Sequence, residues 1–464
     1  MRMLDSLHRL LGRISCDYAD ARYQRRESIV ISVAKGELEE VVSSETSGVG
    51  VRVLKNGSWG FASVNSTSDE DLKKAAESAE RAALLTSESR RKRIEGLAEA
   101  RLAKGRFESE ARQPLSDITI EEKMKMVFET EKRMRERSAD IVSASCSYAE
   151  LIDRKAFVST DGAEFELHSS KPSIRAVAVC MSGSESVVGM DAIGVTGGWG
   201  DLFAKRDNIA IADRAAAQAM RLLSASHMKG SRETVILNPG LVGLISHEAI
   251  GHTVEADLVK SGSPVSDKIG KKVVSDLVTL VDSGHSEHRP GAAGTLPVDD
   301  EGVVTKKTTI IEKGIVKGFL FDRENAFIFG REPTGNARAF EYTDEPIVRM
   351  RNTYIEPGDW KLDELIEDTK RGYLLTGALN GEADSDAEFM FAVQEAREIK
   401  DGELGETYRG VVISGNAFEV LSTVDAISDD FEWDMGFGHC GKGQLAKVDG
   451  GGGHIRCKAL LGGR

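Results

Sequence analysis

The chain has 464 residues, with 75 acidic against 61 basic side chains, a formal net charge of −14 and a pI near 5.3. That length calls for two or more domains with ample core for each, and the acidic balance argues against a nucleic-acid backbone partner, which demands a basic face. Five scattered cysteines suit a reducing cytosol better than a disulfide framework, and neither an apolar leader at Met1–His8 nor about 20 consecutive apolar residues occurs, so a soluble cytoplasmic protein without a membrane partner is expected.

Leu4, Leu7, Leu11 and Ile14 form a helical stripe at the start. Strand-like runs follow at Ser28–Ala34, Glu39–Ser44, Gly50–Leu54 and Trp59–Val64, with Asn56-Gly57 as a hairpin turn between the last two. Asp69 caps a helix through Leu85, and residues 86–113 read as charged and irregular. Arg90-Arg91-Lys92-Arg93 is a tempting basic patch, but neighbouring acids make it a solvated helix face. A helix near Ile120–Arg137 precedes strands around 141–192, which turn at Asp161-Gly162. An alanine-rich helix over about Asn208–Leu223 ends the first half.

The second half opens with the strand Thr234–Leu237, which runs into a helix started by Asn238-Pro239-Gly240. A hairpin is expected from Thr308–Glu312 and Val316–Phe321 around Lys313-Gly314, then helices at Leu362–Arg371 and near Asn416–Ile427, and a glycine-rich tail. Hairpin turns outnumber crossovers, so the class is α+β, with largely antiparallel or mixed sheets flanked by helices. Two domains are expected. Residues 1–229 would form an α+β domain offering a partner or substrate groove, and residues 230–464 the catalytic domain.

The chemistry concentrates in His247-Glu248-Ala249-Ile250-Gly251-His252, followed by Glu255 and Asp257. Two imidazoles can hold Zn²⁺, and the carboxylate beside the first can take a proton from the attacking water. In the familiar H-E-x-x-H motif the histidines share one helix face. Here they are five apart, so on a regular helix they diverge by about 140°, against about 40° for a spacing of four. Shared ligation therefore predicts a π-bulge or break near Ile250–Gly251, where glycine tolerates distortion. Otherwise one histidine packs inside and the other faces solvent.

Zinc needs a third protein ligand. Glu255, about one turn past His252, is one candidate, and a thiolate is the other. Cys16, Cys146, Cys180 and Cys457 sit in apolar runs and read as small core residues. Cys440 lies in the glycine-rich loop Gly436-Phe437-Gly438-His439-Cys440-Gly441-Lys442-Gly443-Gln444, where Lys442 would favour the thiolate. His439 could ligate instead.

These segments resemble a known family. His247–Asp257 is similar to the H-E-x-x-x-H-x-x-E-x-D pattern of the TldD/PmbA peptidases. Pro333–Arg338 resembles their T-G-N-x-R segment, and Arg349–Tyr354 their R-M-x-N-T-Y run. Cys440–Gln444 resembles their C-G-K-x-G-Q run, shortened here by one residue after Lys442. The likeness covers nearly all of the second half and, more loosely, the first. It implies one zinc per chain held by His247, His252 and Cys440, with Glu248 as general base. PmbA-type members lack the histidine motif and act as partners, so the resemblance makes this chain the TldD-type, metal-bearing subunit of a hetero-oligomer, or else a self-associating one.

The expected function is a zinc metallopeptidase that cleaves small or unfolded peptides. Glu255 and Asp257 would orient the histidines or tie down the helix, and Asn336 and Arg338 are candidates for substrate contact. Two rivals use the same site: a zinc amidohydrolase acting on a small molecule, and a zinc-stabilised assembly or regulatory module without turnover. Three other clusters read as structure. His285-Ser286-Glu287-His288 sits among glycine and proline as a solvent loop. Gly450–Gly453 lacks the residues of a phosphate cradle and reads as a flexible or close-approach loop. Asp299-Asp300-Glu301-Gly302 orders its carboxylates as a turn does, not as a calcium loop.

Overall fold

A computed structural model describes residues 2–89 and 93–463. Arg90, Arg91 and Lys92 of the basic patch lie outside the described residues; the helix before them is described over Asp69–Ser89.

The first half is built on one seven-stranded sheet. Its strands are β1 (Tyr18–Ala34), β2 (Glu37–Lys55), β3 (Ser58–Val64), β4 (Lys104–Glu108), β5 (Ile141–Ser159), β6 (Glu164–Ser182) and β7 (Glu185–Gly194), in the order β3-β2-β1-β5-β6-β4, with β7 also on β6. All pairings are antiparallel apart from β4 on β6. Asn56 and Gly57 both take positive φ, as the tight β2–β3 turn requires. Two expected strands, Glu39–Ser44 and Gly50–Leu54, are one strand, β2. The run over residues 37–46 carries no burial pattern because all of it is exposed, and pairing with β1 alone extends the strand through it. The span 86–113 is also less irregular than expected: it holds the helix end and β4, which lies parallel to β6. The helices Arg2–Leu11 and Asp69–Ser89 cover one region of the sheet, and Ile120–Arg135 and Asn208–Leu223 another.

In the second half, Arg371–Ala383, Ser231–Leu237, Ile455–Gly462, Val411–Asn416 and Glu388–Lys400 pair in sequence. Arg371–Ala383 also pairs with Glu388–Lys400, which closes these five strands into a ring. The short strand Ser226–His227 already belongs to this sheet, pairing with Glu403–Arg409. A six-stranded sheet beside it includes Leu280–Ser283, Asn352–Ile355 and the parallel Asp449–Gly452. The largest apolar cluster lies between the ring and this sheet, and takes in Leu241, Ile245, Ala249 and Ile250 of the segment that carries the histidines.

Several expected elements are shorter. Leu362–Asp368 is the helix, and Arg371 already starts a strand. Asn416 caps the helix Ala417–Ser422, after which Ala426–Ile427 is a strand. Past Lys313-Gly314 the strand that pairs with Thr308–Glu312 is only Ile315–Val316, and Leu320 bridges Glu255 instead. Gly450–Gly453 is mostly a buried strand, because its glycines let the helix Pro239–Leu244 lie directly on it: a Cβ at Gly243 would meet the Gly450 backbone at 2.6 Å. Asp299–Gly302 is a turn, with Gly302 at φ +76°, but its carboxylates are buried: Glu301 pairs with Arg52 at 3.0 Å and Asp300 with Lys155 at 2.6 Å, joining the turn to the first sheet. No described helix is long and apolar enough to cross a membrane.

Candidate metal centre

Asn238 accepts from the Leu241 N–H and starts the helix Pro239–Leu244, which continues as a π-helical stretch over Ile245–Gly251 and a 3₁₀ turn over His252–Val254. The His252 N–H donates to the His247 carbonyl five residues back, so the wider turn joins the two histidines themselves. Their rings stand 5.3 Å apart between centroids. The distortion that shared ligation requires is therefore built into the backbone. Gly251 permits it, since a Cβ there would lie 2.0 Å from Met350 Sδ.

The third member arrives on a hairpin. The stretch read as a glycine-rich loop pairs His439–Lys442 with Gln444–Lys447 and turns at Gly443, φ +70°. Cys440 Sγ is 3.3 Å from His252 Nε2. One donor atom from each of His247, His252 and Cys440 lies within 4.8 Å of the others. His439 is exposed on the hairpin and outside this group.

The electrostatics favour the Cys440 thiolate beside a protonated His252, so a metal ion bound here would displace the His252 proton. Burial alone would raise the Cys440 thiol, but His247 and His252 beside it bring it down to about 5. Burial disfavours the charged form of His252, yet Cys440 and Glu255 together raise the imidazole to about 10. Lys442 was expected to favour the thiolate; instead its ammonium is engaged by Glu255 and Asp257. His247 supplies the test of fit. It is wholly buried, and neither ring nitrogen has a hydrogen-bond partner among the described residues, a costly state that a metal ion on one nitrogen relieves. Two imidazole nitrogens and a thiolate suit a divalent transition metal.

Glu255 is fully buried. Its Oε2 lies 2.9 Å from His252 Nδ1 and 3.0 Å from Lys442 Nζ, which leaves His252 Nε2 facing Cys440. Burial works against its charge, but His252 and Lys442 hold the carboxyl below its ordinary range. Asp257 accepts from the same ammonium at 2.7 Å. Glu248 is half-buried, with Oε2 3.7 Å from His252 Nε2, so one carboxylate oxygen faces the cluster while the group stays open to solvent.

Asn336 and Arg338 lie outside the cluster. Asn336 is buried and donates to Asp282 at 2.9 Å and to the Arg349 carbonyl at 2.9 Å. Arg338 donates to the carbonyls of Met350 and Lys447. Three residues complete this frame: Asp282, which sequence reasoning missed, and Arg349 and Arg351, which it placed in a motif without a role. Buried Arg349 donates to the Cys440 carbonyl at 2.8 Å and the Gln444 carbonyl at 2.7 Å, and Arg351 and Asp282 pair at 2.9 Å with no exposure. Arginines alternating with apolar residues in Ile347–Tyr354 were the available signal; Asp282 gave none. His285-Ser286-Glu287-His288 lies in a largely exposed loop, where His288 bonds Glu356 at 2.6 Å.

Residues 230–460 match the PmbA/TldA metallopeptidase C-terminal domain, residues 19–83 its domain 1 and residues 113–223 its central domain. A metalloprotease of Methanocaldococcus jannaschii is 38% identical over 448 residues, covering 96% of this chain and 97% of that one. A protein of Saccharolobus solfataricus named zinc metalloprotease TldD homolog is 30% identical over 451 residues, covering 96% of each. The crystal structure of TldE from Thermococcus kodakarensis superposes with a TM-score of 0.78 at 22% identity, covering 100% of this chain and 99% of that one, which shows a shared fold. With three consecutive domain matches and relatives aligned along nearly the whole length, the chain belongs to the PmbA/TldD family of metallopeptidases.

Proposed function

We propose that this chain is a TldD-type zinc peptidase that cleaves unfolded or small peptides, with His247, His252 and Cys440 holding one Zn²⁺ and Glu248 as general base. The observation that carries the reading is the buried, partnerless imidazole of His247 beside His252 and Cys440. Two nitrogens and one thiolate form a three-ligand set that leaves a position free for reaction. Bound zinc supplies Lewis acidity and lowers the pKa of water toward neutrality. Glu248 Oε2 takes the proton of the attacking water and returns it to the leaving amine. Glu255 fixes His252 with Nε2 toward the metal, and Lys442 with Asp257 holds Glu255 in place.

The geometry around the strand Arg371–Ala383 supports a peptide substrate. Ser231–Leu237 pairs with this strand only at Tyr373–Leu375, and beyond the Gly377 N–H, which donates to Asn238 Oδ1 at 3.3 Å, one edge is open. That edge lines a cavity of ≈ 610 Å³ whose walls include Leu244, Phe437 and Gly438, close in sequence to His247 and Cys440. An extended peptide can pair with such an edge through its backbone, with little demand on its side chains. Folded proteins do not offer several residues of free backbone. A PmbA-type chain of the same fold is the proposed partner, in keeping with the TldD name of relatives and the TldE fold.

Cleavage of one protein in folded and unfolded form, with zinc and with a chelator, tests the reading. Zinc-dependent cleavage of the unfolded form alone is expected. Equal rates on both forms, or activity only on single-residue amides, would refute it.

A further inference from the structure

Between the first sheet and the Cys440 hairpin lies a small cavity of ≈ 40 Å³. Five cationic side chains line it, Arg26, Lys155, Lys171, Arg338 and Lys447, against the two carboxylates of Asp153 and Asp300. Arg26, Lys155, Lys171 and Lys447 are each no more than 9% exposed. Both carboxylates are already engaged. Asp153 receives Arg26 through two bonds of 2.9 and 2.8 Å and Gln24 at 2.8 Å, and Asp300 receives Lys155 at 2.6 Å and the Ala339 N–H at 2.9 Å. Asp449, whose charge acts on Lys447, accepts from the N–H groups of Ala293, Met435 and Gly450.

Donors are left over. Arg26 Nη1 is buried without a hydrogen-bond partner; Glu341 Oε1 lies 4.0 Å from it, too far for a hydrogen bond. The Lys447 ammonium has three donors but one bonded acceptor, the Phe437 carbonyl at 3.1 Å. Arg26 also stacks on Phe340, 3.9 Å from the ring centroid, so its position is fixed. Buried charge in surplus of one sign is expensive, and the cavity can be relieved by a counter-ion or by loss of a proton. The space suits a small guest: at roughly 10–15 Å³ for each water, it holds about three waters or one compact anion.

We propose that this cavity binds one compact monovalent anion, a halide or a carboxylate of formate size, held by Arg26, Arg338 and Lys447. The anion would tie the first sheet to the hairpin that delivers Cys440. Burial, with Arg338 and Lys447 nearby, drives Lys171 well below the usual lysine range, and burial brings Lys447 to about 8; a bound anion offsets both effects. The competing state is an empty cavity with a neutral lysine.

Thermal unfolding of the full chain as purified, in gluconate at constant ionic strength, tests this directly, since gluconate is too bulky for the cavity. Replacement of gluconate by chloride or formate should raise Tm saturably, by about 2–4 °C, and Lys447→Met should lose that rise. Wild-type crystals soaked in bromide should show an anomalous peak between Arg26 and Lys447, which keeps the test independent of how the variant folds. A flat titration with both anions, or an anomalous map without that peak, overturns the proposal.

Discussion

Lys442 Nζ lies 3.0 Å from Glu255 Oε2, the same oxygen that meets His252 Nδ1 at 2.9 Å. The hairpin that carries Cys440 and the segment that carries both histidines are thereby joined through one carboxylate. Lys442→Met should leave the three donors in place but loosen their mutual geometry. Zinc affinity, measured by competition with a chromophoric chelator, should fall about 10–100-fold, the usual worth of a group that orients a ligand. Unchanged affinity would show that the hairpin is held by other bonds, such as those from Arg349.

Ligand identity is tested by metal content. Cys440→Ser should lose most of the zinc, while Glu255→Ala should keep a stoichiometric ion bound more weakly. The reverse pattern, zinc retained without Cys440 and lost without Glu255, would make the carboxylate the third ligand.

Gly251 is needed for close approach, not for an unusual φ. Gly251→Ala places a methyl group 2.0 Å from Met350 Sδ. The variant should unfold about 1–3 kcal/mol more easily by chemical denaturation, the range for overpacking a core. Adding Met350→Ala should lift the clash and recover part of the lost stability, although the shortened side chain carries its own cost. A Gly251→Ala protein as stable as the wild type would mean that the π-helical segment yields without strain.

Asp434 gives a pH signature. Burial, with no hydrogen bond to compensate among the described residues, raises its carboxyl to about 6. A carboxyl whose folded pKa exceeds its unfolded value of about 3.9 weakens the fold as it ionises. That contribution is absent below about pH 4, grows as pH rises through 6, and is constant above. Asp434→Asn should therefore raise stability by about 1–2 kcal/mol at pH 7.5, with no gain at pH 4. An equal effect at both pH values would refute the ionisation account.

The histidine pair, its five-residue spacing and the need for a distorted helix were legible in the sequence, because helix geometry ties ligation to backbone shape. Hairpin turns at Asn56-Gly57 and Lys313-Gly314 were legible for a similar reason: their residues take positive φ. Elements whose cause lies elsewhere in the chain were not. The polar middle of β2 is held by pairing with β1, and the strand at Gly450 by contact with Gly243, and neither leaves a local pattern. Asp282 looks like any loop carboxylate until Arg351 is seen beside it. Asn336 and Arg338 drew attention as polar residues in a motif, and the structure gives both a place in the frame around the hairpin.

The most direct test of the peptidase mechanism is Glu248→Gln. The change keeps the size of the side chain and removes its capacity to take a proton, while the three metal donors remain. Zinc per chain and the rate on an unfolded peptide should be measured on the same preparation, with the partner chain present. One zinc per chain and a rate lowered about 10²–10⁴-fold is the predicted result; a zinc-loaded Glu248→Gln protein that cleaves at the wild-type rate would contradict it.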